Sequence, residues 1–143
     1  MLSKSSKYAV KAVLYLALHS SEYKKIKAKE IAGPINVPGS YIAKLLQNLS
    51  RQQIISSTKG PNGGFYLNET NKKESIVTVI NAIDGDLRLK SCLLCIDKCN
   101  EKKPCPLHQF ASPFRTVLLN SFNTKSIAEL ADDVTAGKSF LPL

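Results

Sequence analysis

Apolar residues recur at helical spacing through the first fifty residues of the chain. Residues 6–20 carry apolar side chains on most faces, which predicts a well-buried first helix. Residues 28–32 predict a short second helix, and Gly33-Pro34 is expected to end it. Residues 38–52 predict a third helix. Pro38 can begin this helix, because the missing N–H of a proline costs nothing in the first turn.

The third predicted helix has two contrasting faces. Apolar residues between positions 42 and 49 recur at i, i+3, i+4 and i+7, which makes one stripe that should face a core. The opposite face carries hydrogen-bonding and cationic groups: Ser40, Lys44, Gln47 and Arg51. Such groups can contact base edges and phosphates. They can equally form an ordinary solvated face.

A hairpin is predicted directly after this helix. Residues 54–58 and 65–67 can form two strands, and residues 59–64 are turn sequence in which Asn62-Gly63 can accept positive φ. A winged helix-turn-helix has this order of elements: a short helix, a turn, a helix with a polar face and a hairpin with a basic tip. The alternative is a helical hairpin followed by a surface β-hairpin without a ligand.

The second half of the chain is predicted to be helical around an irregular loop. Residues 75–85 predict a helix with a serine cap and a glycine stop. Residues 87–108 are rich in Pro, Lys and Cys and should be irregular. An apolar stripe over 107–122 contains Pro113, which either begins a new helix or kinks a longer one. A capping-box pattern predicts a last helix over 127–135. The expected fold class is mainly α with a small β-hairpin.

The positive charge lies entirely in one half. The net charge is +9, and residues 1–73 hold eleven lysines and one arginine against three glutamates, whereas residues 74–143 are balanced. This asymmetry favours a polyanionic partner, either nucleic acid or a membrane surface. A membrane-surface protein should also have an amphipathic helix with a large exposed apolar face, which we do not identify. The candidate DNA contacts are Gly39, Ser40, Tyr41, Lys44, Gln47, Arg51, Lys59 and Asn62.

The same patterns predict the organisation and location of the protein. We assign residues 1–73 to a DNA-binding region and residues 74–143 to a second region with the cysteine loop and the remaining helices. The chain has no apolar run of about 18 residues. Its first helix lacks the cleavage site of a signal peptide. We therefore expect a cytoplasmic protein.

Four cysteines cluster within the irregular loop. Cys92, Cys99 and Cys105, followed by His108, suit zinc, a 2Fe–2S or a 4Fe–4S centre, and spacing does not separate these. Cys95 is an alternate ligand. Disulfides or inert thiols are the structural alternative. A thiol oxidoreductase using Cys92 and Cys95 is a further hypothesis, but this pair does not open a helix after a strand, the context that lowers a thiol pKa.

Taken together, these segments resemble the IscR/NsrR/CymR type of winged-helix regulators. The resemblance rests on residues 3–17, 37–46 and 56–67 and on the run Cys92…Cys99…Cys105-Pro106-Leu107-His108. It implies that the helices of residues 74–143 are dimerisation helices. The resulting homodimer would bind a palindromic operator through two recognition helices and two wings. The resemblance also implies an iron–sulfur cluster that senses redox state, iron or nitric oxide, so the expected function is a cluster-gated repressor.

The chain departs from this family at several positions. Where some members supply a cluster ligand from the first helix, this chain has Lys7 and Lys11, which are poor ligands and leave His108 as the fourth one. Ala43 stands where some relatives use a glutamate in base discrimination. Lys59 stands where the wing often has arginine, so it offers a point charge without a planar fork.

Overall fold

A computed structural model describes residues 2–94 and 99–143. Within these residues the chain is mainly helical with one two-stranded antiparallel hairpin, which confirms the expected fold class. The elements are α1 (Lys4–His19), α2 (Ala28–Ile35), α3 (Gly39–Arg51), β1 (Ser56–Thr58), β2 (Gly64–Tyr66), α4 (Glu69–Lys72), α5 (Ile76–Asp84), α6 (His108–Thr124) and α7 (Ile127–Thr135). A short 3-10 turn covers Arg88–Lys90.

One hydrophobic core joins helices from both halves of the chain. Helix α1 packs against α2, α3, α5 and α7. Fully buried side chains from these helices include Leu16, Ile31, Leu46, Ile80 and Ile127. Because α3 and α5 both lie on α1, this helix is the common support of α3 and of the segment that leads into the cysteine loop.

The last helix begins as predicted. Ser126 caps α7, its hydroxyl accepting from the Glu129 N–H at 3.1 Å, while the Glu129 carboxylate accepts from the Ser126 N–H at 2.8 Å. Hydrogen bonds from the Ser126 N–H and hydroxyl lower the pKa of Glu129. Helix α5 also lies between the predicted bounds, with Ser75 before it and Gly85 after it.

Two predictions relied on proline as a helix breaker. The predicted end of α2 at Gly33-Pro34 was wrong, and of the two alternatives for Pro113 the single longer helix is found. Helix α2 continues to Ile35 with Pro34 inside it, and Asn36 in the left-handed conformation (φ 58°) ends it. Pro113 lies inside the single helix α6 rather than at the start of a new one. The residue four positions before each proline is exposed, so water can satisfy the carbonyl that loses its helical partner.

The hairpin is shorter than predicted. Ile54 and Ile55 are buried in the core, and β1 begins only at Ser56. Ser57 pairs with Phe65 in the antiparallel register. The left-handed backbone of the connecting loop is at Gly60 (φ 102°), so the expectation that Asn62-Gly63 supplies it was wrong.

Candidate functional site

The polar face of α3 is exposed, as the periodicity predicts. Ile42, Leu46 and Leu49 are fully buried, whereas the opposite side chains are free of the core: Ser40, Lys44, Gln47 and Arg51. Arg51 lies in the last turn of the helix, where a cation is also favoured by the helix dipole. The helix therefore presents a row of donors about three turns long.

A groove joins this helix face to the hairpin. Gln47, Arg51 and Lys59 line it, and its volume is about 540 Å³. The hydroxyls of Ser50 and Ser57 lie 2.7 Å apart and connect α3 to β1 at its wall. The helix and the hairpin thus hold two cations on one concave surface, an arrangement that concentrates positive potential.

The remaining candidate contacts surround this surface. Asn62 is exposed in the hairpin loop, and Gly39 begins α3. Tyr41 is half-buried, and its phenol oxygen lies 2.8 Å from the Ser5 hydroxyl. The Tyr8 ring meets the Tyr41 ring edge-on at 5.9 Å between centroids. Tyr41 therefore also fixes α1 against α3, a contact that the sequence pattern did not reveal.

A buried asparagine, missed by the sequence analysis, holds the base of the hairpin. Asn71 lies in α4, a four-residue helix too short to produce a periodic pattern. Its Oδ1 accepts from the Ser56 hydroxyl at 2.7 Å, and its Nδ2 donates to the Gln53 carbonyl at 3.1 Å. Gln53 has left-handed φ (60°), so Asn71 stabilises the strained connection between α3 and β1.

The predicted metal ligands meet in two pairs. The Cys92 and Cys105 sulfurs lie 3.5 Å apart, and the Cys99 sulfur lies 2.9 Å from His108 Nδ1. Cys92 is buried, while Cys99, Cys105 and His108 are half-buried. Cys95 lies outside the described residues. Among residues 2–94 and 99–143, no three of the His, Cys, Asp and Glu side chains form a group that could hold one metal ion.

The start of the cysteine loop is anchored to the helical core. Leu89 is buried in the main cluster. Asp84 at the end of α5 accepts from the Ser3 N–H at 3.1 Å and from the Ser3 hydroxyl, and Arg88 approaches the same carboxylate at 4.0 Å. Partial burial raises the pKa of Asp84, but the Ser3 hydrogen bonds and the Arg88 charge outweigh it and lower the pKa overall.

Helix α6, which follows the cysteine loop, has an uncovered apolar face. Phe110, Phe114 and Val117 are 62%, 79% and 66% exposed, and no residue of α6 is buried. These residues lie at helical spacing on one stripe with Leu107. A stripe of large exposed apolar side chains indicates an interaction surface.

Within the described part of the chain, no helix is long and apolar enough to cross a membrane.

A family model and individual relatives both match this chain, and all of them are described as transcriptional regulators. A family model described as "Rrf2: Iron-dependent Transcriptional regulator" matches residues 2–133. A protein of Aquifex aeolicus that carries the name of an HTH-type transcriptional regulator is 30% identical over 132 residues, 91% of this chain and 90% of that protein. The HTH-type transcriptional regulator IscR of Vibrio vulnificus is 28% identical over 132 residues, 92% of this chain and 77% of that protein.

A solved structure shares the fold. The crystal structure of CymR, the global cysteine regulator of B. subtilis, superposes with a TM-score of 0.75 at 17% identity, over 92% of this chain and 96% of that one. At this identity the likeness shows that both chains have the same arrangement of helices and hairpin.

Proposed function

The chain belongs to the Rrf2 family of transcriptional regulators, and on this premise we propose that it is a homodimeric repressor whose affinity for a palindromic operator is controlled by an iron–sulfur cluster. As a member of this family it is a DNA-binding regulator and not an enzyme. The controlling cluster, the ligands, the dimer and the operator symmetry are the proposed part.

The groove between α3 and the hairpin supports the DNA-binding surface. Arg51 and Lys59 would neutralise phosphates, and Lys44 would contact phosphates or guanine edges. Ser40 and Gln47 would bond base edges, and the backbone N–H groups at Gly39 and Ser40 would hold a phosphate at the start of α3. Tyr41 and Asn62 complete the predicted surface. Ala43 offers no polar group, so readout at that point of the helix would be apolar.

The paired ligands are the observation that supports a cluster. Three thiols and one imidazole are donors that iron–sulfur centres use, and all four lie at or beside the first turn of α6. Bringing three thiolates into one loop is favourable when a cation compensates their charge. Such a cluster would supply a centre that responds to oxidants, iron supply or nitric oxide.

The pairing favours a two-iron cluster over the alternatives. A single zinc ion holds four donors on one tetrahedron, each about 2.0 to 2.3 Å from the metal, so all four must converge. A four-iron cluster takes one ligand per iron and keeps its ligands apart. In a two-iron cluster each iron takes two protein ligands, and this matches Cys92 with Cys105 and Cys99 with His108.

The exposed face of α6 supports the dimer. Packing Phe110, Phe114 and Val117 against the same residues of a second copy would bury side chains that are otherwise more than half exposed. A two-fold dimer places two α3 helices in inverted orientation, so its operator would be an inverted repeat. The cysteine loop precedes α6 directly, which puts the cluster beside the dimer interface.

A chain of contacts leads from the loop to α3. Arg88 faces Asp84, Asp84 holds Ser3, and the same turn of α1 meets α3 at Tyr41. Ordering the loop around a cluster would fix Arg88 and α6 together and so set the position of α3 relative to its partner copy. This is the proposed route by which the loop and the operator influence each other.

Anaerobic purification tests the cofactor. We expect a brown or red protein with visible absorbance and iron and sulfide in equal amounts, and we expect Cys99→Ser to lose the colour. A colourless protein that contains zinc would overturn the cluster and leave a DNA-binding protein with a structural metal site.

Selection of operator fragments from genomic DNA by the purified protein tests the regulatory function. Inverted repeats are the expected common feature of the selected fragments.

A further inference from the structure

A lysine-rich segment joins α1 to α2. Between the two helices and into the first turn of α2, six residues include four lysines: Lys24, Lys25, Lys27 and Lys29. Lys24, Lys27 and Lys29 are exposed, and Lys25 is half-buried. We call residues 24–29 the lysine segment.

The backbone holds this segment in one shape. Ser21 and Lys24 exchange two backbone hydrogen bonds of 3.0 and 3.1 Å, and the Ser21 hydroxyl accepts from the Lys24 N–H at 3.0 Å. Ile26 is buried and exchanges two further bonds, of 2.9 and 2.8 Å, with Phe65 of β2. Gly64 permits this approach, since a Cβ there would lie 2.9 Å from the Ile26 backbone.

The segment connects the two elements of the proposed DNA-binding surface. At one end, Lys25 Nζ lies 5.6 Å from the centre of the Tyr66 ring on β2. At the other, the Lys29 Cα lies 3.9 Å from the position of a Cβ on Gly39, the first residue of α3. The lysines are therefore placed between the base of the hairpin and the start of the recognition helix.

These charges are not neutralised within the fold. Among the described residues, no carboxylate lies within 4 Å of the four ammonium groups, whereas Lys72, Lys125 and Lys138 each have an acidic partner. The nearby Glu30 carboxylate instead accepts from the Lys27 backbone N–H at 2.8 Å. A cluster of cations without acidic partners is suited to a polyanionic partner.

We infer that the lysine segment is an additional phosphate-binding surface that contacts the DNA backbone beside α3 and the hairpin. The inference rests on the proposed DNA-binding function and adds contacts outside the base-reading face. Lysine ammonium groups are strongly hydrated point charges and bind phosphates without reading bases. The segment therefore contributes affinity and salt dependence on every DNA sequence alike.

Salt titration of binding to a short mixed-sequence duplex tests the inference. The test variant replaces Lys24, Lys25, Lys27 and Lys29 with Gln. A matched control replaces four exposed lysines of the other half: Lys102, Lys103, Lys125 and Lys138. A third protein carries Lys44→Gln and Arg51→Gln. The slope of log affinity against log salt changes by about 0.9 for each phosphate contact.

We expect the test variant to lower this slope by about 2 to 4 per subunit, and the control to leave it within about one unit of the wild type. If test and control variants change it equally, only general charge matters and the inference fails. If the test variant keeps the wild-type slope while the Lys44/Arg51 variant loses affinity, the inference fails and the proposed function stands. If the wild-type protein binds no duplex, both fail.

Lysine acetylation of the wild-type protein provides a measurement that needs no variant. Mass spectrometry of the protein treated with an acetylating reagent, with and without the duplex, reports which ammonium groups DNA covers. We expect DNA to protect Lys24, Lys27 and Lys29, and to leave Lys102 and Lys138 reactive. Equal reactivity of the lysine segment with and without DNA would overturn the inference.

Discussion

The Ser5 hydroxyl and the Tyr41 phenol oxygen lie 2.8 Å apart and join the first turn of α1 to α3. Two residues earlier, Ser3 is held by the Asp84 carboxylate at the end of α5. The first turn of α1 is thus bonded both to α3, the proposed DNA-reading helix, and to the segment that leads into the cysteine loop. Its stability should matter for DNA binding as well as for folding.

Asp84 should make folding stability dependent on pH in the acid range. Its folded pKa is lowered, so the stability it contributes is present above its unfolded pKa, about 4, and is lost as pH falls through the folded value. We expect Asp84→Asn to be destabilising at pH 7 and the difference from wild type to shrink below pH 4. Urea unfolding across pH measures it, with the exposed Asp86→Asn as control. A constant difference at all pH values would contradict the role assigned to the carboxylate.

Removing the Asn71 amide should loosen the hairpin. Asn71→Ala removes the acceptor of the Ser56 hydroxyl and the side-chain donor to the Gln53 carbonyl, which should cost about 1 to 3 kcal/mol in the free energy of unfolding. DNA affinity should fall as well, because Lys59 would no longer be held opposite Arg51. Chemical denaturation and binding assays measure the two effects. Thr70→Ala, at an exposed position of the same short helix, should change neither.

The exposed face of α6 should hold the dimer together. Phe114→Glu places a charge in the proposed apolar interface, and we expect analytical ultracentrifugation to show monomers at concentrations where the wild type is dimeric. The control Asn120→Glu changes an exposed polar position of the same helix and should remain dimeric. A dimeric Phe114→Glu protein would place the interface elsewhere.

The ligand pairing can be tested by oxidising the cluster-free protein. Cys92 and Cys105, with sulfurs 3.5 Å apart, should form a disulfide on treatment with diamide, while Cys99 beside His108 should remain open to alkylation. Peptide mapping by mass spectrometry identifies the linked pair. Preferential linkage of Cys99 to Cys92 or Cys105 would contradict the pairing and weaken the case for two ligands per iron.

The sequence predicts the features that depend on interactions between neighbouring residues. The apolar stripe of α3 and the capping box at Ser126 depend on residues within about two turns of one another, and both are found as expected. The end of α2 was mispredicted because a proline near a solvent-exposed helix end costs little, and Asn36 rather than Gly33 adopts the terminating conformation.

Contacts between distant segments could not be predicted in this way. Nothing near Ser5 in the sequence indicates that it will meet Tyr41, and nothing in the lysine segment indicates that Ile26 pairs with Phe65. The clustering of the cysteines predicts that they are ligands. Which sulfur lies beside which ligand depends on the path of an irregular loop with no periodic pattern.

Control by a cluster requires that the cysteine loop and the operator influence each other. The most direct measurement is operator affinity at fixed salt concentration for anaerobically purified protein, before and after removal of iron by a chelator under reducing conditions. Coupling of about 1 to 3 kcal/mol predicts that the two affinities differ by at least about fivefold. Equal affinities, with iron removal verified by analysis, would contradict control by the cluster and leave the chain as a DNA-binding regulator with a separate metal site.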